Sequence, residues 1–93
     1  MYNLRRERDG AGDCGTLSMA IWLENDEVRY EYAARPRVGV AMRVGSSFAR
    51  TYHAQDWWQT TIITEILEEN DHYVKFKTGN STYEWWIPRS NEE

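Results

Sequence analysis

The chain has 93 residues, the length of one domain. Five tryptophans, six tyrosines and two phenylalanines are more aromatic surface than so small a core can hold. The formal net charge of −4 argues against general coating of nucleic acid, Cys14 has no second cysteine for an internal disulfide, and no apolar run approaches the roughly 18 residues of a membrane-spanning helix.

Residues 1–16 are polar and glycine-rich, and Asp9-Gly10-Ala11-Gly12-Asp13-Cys14-Gly15 reads as a flexible lead-in. The opening residues lack the apolar core of a signal peptide, so a cytoplasmic location is expected.

A period of two follows. Leu17, Met19, Ile21 and Leu23 alternate with Ser18, Ala20 and Trp22, the pattern of a half-buried strand. Asn25-Asp26 is a turn signal, and Val28, Tyr30 and Tyr32 then alternate with Arg29, Glu31 and Ala33. A two-residue loop sets Leu23 opposite Val28, Ile21 opposite Tyr30 and Met19 opposite Tyr32. Trp22 then faces Arg29, with a cation–π contact in reach. The same register sets Glu24 against Glu27, which favours a longer loop. Pro36 breaks the run, and Val38, Val40, Met42 and Val44 form a third strand.

Phe48 to Tyr52 reads as a short strand and His53 to Asp56 as loop. Across Trp57 to Glu69 the spacing of Ile62, Ile63, Ile66 and Leu67 suits a helix. The β-branched run Thr60-Thr61-Ile62-Ile63-Thr64 favours strand with a bulge, and strand is the reading adopted. The clearest signal is Tyr73–Thr78, then Gly79-Asn80, then Ser81–Ile87. A tight hairpin with Gly79 at the first central position pairs Phe76 with Tyr83 and Val74 with Trp85 on one face. It pairs Lys75 with Glu84 and Tyr73 with Trp86 on the other.

These elements make a mainly β fold: a lead-in (1–16), a single β-rich domain (17–88) and a tail (89–93). The expected architecture is a small single-domain barrel or highly bent antiparallel sheet, SH3-like.

Chemistry-bearing residues are few. Ser46, Ser47, His53 and Asp56 lack a nucleophile-elbow setting, and the histidines, Cys14 and the acids show no metal-ligand spacing. No catalytic set, metal site or cofactor is expected, and the chain reads as a non-enzyme. The stretch Arg43–Trp58 instead concentrates binding types. Arg43 and Arg50 suit an anion, Gly45-Ser46-Ser47 can present backbone N–H groups to one, Tyr52, Trp57 and Trp58 offer stacking surface, and His53 lies among them.

Gly45–Tyr52, Trp57-Trp58, Thr64–Glu69 and Val74–Trp85 resemble small uncharacterised proteins of bacteriophages and prophages, over roughly residues 36–87. The resemblance implies an accessory role in the host cytoplasm and no defined activity. The expected function is therefore a small binding protein that inhibits or sequesters a host protein or a small anionic signal molecule. Two alternatives stay open: a nucleic-acid-binding barrel using Arg35, Arg37, Arg43 and Arg50 with Tyr52 and Trp57, which the net charge disfavours, and a structural or oligomeric subunit. No membrane partner is expected.

Overall fold

The computed structural model describes residues 1–45 and 57–87. Among them are nine strands: β1 (Tyr2–Arg6), β2 (Gly12–Gly15), β3 (Leu17–Glu24), β4 (Glu27–Tyr32), β5 (Ala41–Gly45), β6 (Trp57–Gln59), β7 (Ile63–Glu69), β8 (Tyr73–Thr78) and β9 (Thr82–Trp86). They form two antiparallel sheets. The first has order β2-β1-β9-β8-β7 and the second β4-β3-β5-β6. The all-β reading holds, but the sheets do not close into a barrel.

The C-terminal hairpin has the register its sequence pattern implies. Phe76 pairs with Tyr83, Val74 with Trp85, Lys75 with Glu84 and Tyr73 with Trp86. Its turn differs in mechanism. Gly79 does not adopt the positive φ of a glycine at the first central position. Instead Thr78 Oγ1 accepts from the N–H groups of Asn80 and Ser81 at 3.3 and 3.2 Å, and the Thr78 N–H donates to the Ser81 carbonyl at 2.8 Å. The threonine thus replaces a left-handed glycine.

The β3–β4 hairpin closes on the two-residue loop. Asn25 and Asp26 have φ of 53° and 65°, the two positive values of a type I′ turn. Glu24 does stand opposite Glu27. Arg29 offsets the like charges by lying 3.8 Å from one carboxylate and 3.1 Å from the other. Arg29 is thereby drawn from Trp22, although the two are register partners. The cation over the Trp22 ring is Arg37, at 5.1 Å.

Residues 2–15 are not a lead-in. β1 lies between β2 and β9, with Leu4 paired to Trp85 and itself buried. The turn between β1 and β2 uses Gly10 at φ 74°. Arg6 holds Asp9 with two bonds, of 3.0 and 2.7 Å. A polar, glycine-rich stretch here builds a hairpin rather than a linker.

Residues 63–69 are strand, as read. The irregularity sits inside β7, as register shifts between Ile63 and Glu65 and between Ile66 and Glu68.

The core lies between the sheets. Leu4, Ile63, Val74, Phe76, Tyr83 and Trp85 come from the first, and Ala20, Met42 and Val44 from the second, joined by Ala34 and Val40. Trp85 sits at its centre. Its indole N–H donates to Ser18 Oγ at 3.0 Å, and the Ser18 hydroxyl donates to the Ala34 carbonyl at 2.9 Å. A small residue on β3 thus accommodates the largest side chain of the core and satisfies its polar atom.

Candidate functional site: the outer face of the second sheet

The inward anchoring of Ser18 and Ala20 decides what β3 shows to solvent. In a strand successive side chains alternate between faces. With Ser18, Ala20 and Trp22 directed at the core, Leu17, Met19, Ile21 and Leu23 must point outward. The register carries this face across the sheet. Tyr32, Met19, Arg43 and Gln59 form one row, Tyr30, Ile21 and Ala41 a second, and Val28 and Leu23 a third.

The face is unusually apolar for one in contact with water. Leu23 is 72% exposed, Tyr32 70%, Tyr30 56% and Val28 51%. Met19 and Ala41 form its buried floor. The hairpin inverts the usual arrangement, since Glu27, Arg29 and Glu31 occupy the side of β4 that belongs to the core face. The exposed part of these four side chains amounts to roughly 400 Å², the size at which a surface patch is often functional.

The first sheet supplies the contrast. Its outer face carries an ordinary polar network: Arg5 lies 3.6 Å from Glu84, Lys75 3.1 Å from Glu7, and the Tyr73 hydroxyl donates to Glu84 at 2.8 Å. Burial and then the Glu84 carboxylate push the Tyr73 phenol up to about 12.

Of the residues singled out from sequence, Arg43 and Trp57 belong to the outer face. The Arg43 guanidinium lies 4.0 Å from the Trp57 ring centre and donates to Gln59 Oε1 from Nε and an Nη at 3.0 and 2.8 Å. This is a flat, preorganised cation–aromatic surface at one end of the apolar strip. Trp58 is turned to the other side, against the core, where Arg6 stacks on it at 5.1 Å and its indole nitrogen is buried without a hydrogen-bond partner. The sheet therefore separates the two adjacent tryptophans. Ser46, Ser47, Arg50, Tyr52 and His53 lie outside the described residues.

Among the described residues, Arg35, Arg37 and Arg43 are each engaged by separate partners. Arg35 donates to Glu69 Oε2 and to the carbonyls of Asn70 and Asp71, at 3.1, 2.6 and 2.9 Å. Arg37 pairs with Glu31 at 3.0 Å, and Arg43 is held by Gln59. An open depression of about 710 Å³, lined by Asn70, Asp71, His72, Tyr73, Trp86 and Ile87, lies at the β7–β8 turn and the end of β9. No group of three His, Cys, Asp or Glu side chains suited to a metal ion occurs among the described residues, and Cys14 is exposed on β2. No helix there is long and apolar enough to cross a membrane.

The four most exposed members of this face, Leu23, Val28, Tyr30 and Tyr32, were not singled out from sequence. The available signal was the pairing of small Ser18 and Ala20 on one phase of β3 with large apolar residues on the other. Small residues mark the phase that lies closest to another layer.

No protein-family model, no curated protein and no solved structure matches the chain.

Proposed function

We propose that this protein is a non-catalytic binding module that docks a partner protein on the outer face of its second sheet. The observation that carries the reading is the inverted β3–β4 hairpin. Four large apolar side chains face solvent while the charged residues of β4 occupy the opposite side. Leaving that area in water forgoes stabilisation at about 25 cal/mol per Å², so a partner that covers it gains accordingly. Tyrosine and arginine stacked on tryptophan are residue types that concentrate binding energy at protein interfaces. The mode of action is occlusion of the bound protein, in keeping with the accessory role that the resemblance to phage proteins implies.

The chemistry of the face favours a protein over a small anion. Among the described residues of the face Arg43 supplies the guanidinium, already bonded to Gln59, whereas the apolar strip spans β3 and β4. Affinity capture from the producing cells tests this, using the intact chain and a Leu23→Lys, Tyr32→Lys variant. A partner retained by the first and lost by the second, with both folded, supports the assignment. Equal retention by both places the binding surface elsewhere.

A further inference from the structure

The described residues leave four sheet edges, and three are poor templates for another strand. β2 is four residues with glycine at each end, and β6 is three residues. β7 is broken by two register shifts and presents Glu65, Glu68 and Glu69. Short, bulged or charged edges resist pairing with another chain. β4 is different. It runs for six residues without a register shift, and all six are exposed.

The turn determines which backbone groups this edge offers. In a two-residue hairpin the pair closing the loop, Glu24 and Glu27, exchanges both backbone hydrogen bonds. Alternation then directs the N–H and C=O groups of Val28, Tyr30 and Tyr32 away from β3.

We infer that β4 pairs antiparallel with β4 of a second copy about a two-fold axis at Tyr30. In this register Tyr30 meets Tyr30 of the second copy, and Val28 meets Tyr32. All three outward-facing residues of each strand then find backbone partners. On the opposite side Arg29 meets Glu31 in both directions, so the strand is complementary to itself in charge. Neighbouring registers fail. An axis at Arg29 sets Arg29 on Arg29 and Glu27 on Glu31, and an axis at Glu31 sets Glu31 on itself. An axis at Val28 matches Glu27 with Arg29 but leaves Val28 as the only outward residue with a strand partner. An axis between two residues puts apolar side chains against charged ones.

The pairing makes one continuous eight-stranded sheet from two four-stranded ones. The two apolar faces become one surface, with Val28, Tyr30 and Tyr32 of both copies around the axis. The contact goes beyond the proposed function and does not rest on it, because the edge and the face of β4 are separate surfaces. A strand-to-strand contact is small beside the roughly 800 Å² per partner of a standard interface, so the dimer depends on concentration.

Sedimentation equilibrium of the purified chain tests the register. The intact protein shifts with concentration from the 11.0 kDa chain mass towards twice that mass. Arg29→Glu alone and Glu31→Arg alone each set like charges across the axis and stay monomeric where the intact protein is dimeric. An equimolar mixture of the two variants recovers the dimer, because each introduced charge then meets its opposite. The double variant R29E/E31R in one chain recovers it too, and circular dichroism of each variant separates loss of the dimer from loss of the fold. A monomer for the intact chain up to the millimolar range overturns the proposal. So do single variants that dimerise like the intact chain, or a mixture and double variant that both stay monomeric. Partner capture on the outer face is read separately and can fail while the dimer stands.

Discussion

Trp85 donates its indole N–H to Ser18 Oγ at 3.0 Å, linking the centre of the first sheet to the second. Both residues are buried, and Ser18 passes the bond on to the Ala34 carbonyl at 2.9 Å. Ser18→Ala leaves a buried indole N–H without an acceptor. The expected cost is about 1–3 kcal/mol in denaturant unfolding, the penalty for a buried unsatisfied polar group. No measurable loss contradicts a direct bond between the sheets.

An outward-facing apolar side chain and a core one should respond very differently to substitution. Leu23→Lys changes a side chain that is 72% exposed and should shift stability by no more than about 0.5 kcal/mol. Phe76→Ala empties the centre of the core and should cost about 3–5 kcal/mol. Chemical denaturation of the two variants checks this. A large loss from Leu23→Lys shows that the β3 face is not the free one.

Gly12 lies against the neighbouring strand, where an added Cβ overlaps the Leu4 carbonyl. The clash is with backbone and cannot be relieved by a rotamer change. Gly12→Ala should therefore cost about 1–3 kcal/mol by forcing β2 away from β1. Hydrogen exchange should show the loss concentrated in the β1–β2 hairpin.

Tyr73 links stability to alkaline pH. Burial, and then the Glu84 carboxylate that accepts its hydroxyl bond, push the phenol up to about 12 from an ordinary value of about 10. Below pH about 10 both folded and unfolded forms hold the proton and the stabilisation is complete. Between about 10 and 12 the unfolded chain loses its proton first, so stability falls as pH rises. Tyr73→Phe should flatten that fall relative to the intact protein when denaturant midpoints are compared from pH 9 to 12. Parallel slopes for the two proteins contradict the assignment.

How far the fold can be read from sequence varies with the kind of signal. The Tyr73–Ile87 register was legible because charge, aromatic and turn signals agreed on it. The β3–β4 register was legible too, but the apparent clash of Glu24 with Glu27 obscured the short loop. Arg29, five residues from Glu24 in sequence, lies between them only after the turn forms. The β1–β2 hairpin was illegible because Asp9–Gly15 has the composition of a linker. Its order comes from tertiary pairing of Leu4 with Trp85 and from the Arg6–Asp9 clamp. The stretch Arg43–Trp58 was legible as a concentration of binding residues, yet alternation separates Trp57 from Trp58. The exposed strip Leu23, Val28, Tyr30 and Tyr32 was missed because an apolar phase is ordinarily the buried one. Here Trp85 claims the small phase instead.

Site-specific photo-crosslinking in the producing cells tests the outer-face assignment most directly. A photoreactive side chain is placed at Leu23 or Tyr32 on the outer face of the second sheet, and at Lys75 or Lys77 on the first. The expected result is a discrete crosslink from positions 23 and 32 to a protein other than a second copy of this chain, and none from 75 and 77. Crosslinks from 75 or 77 alone, or none from any position, contradict docking on the outer face of β3 and β4.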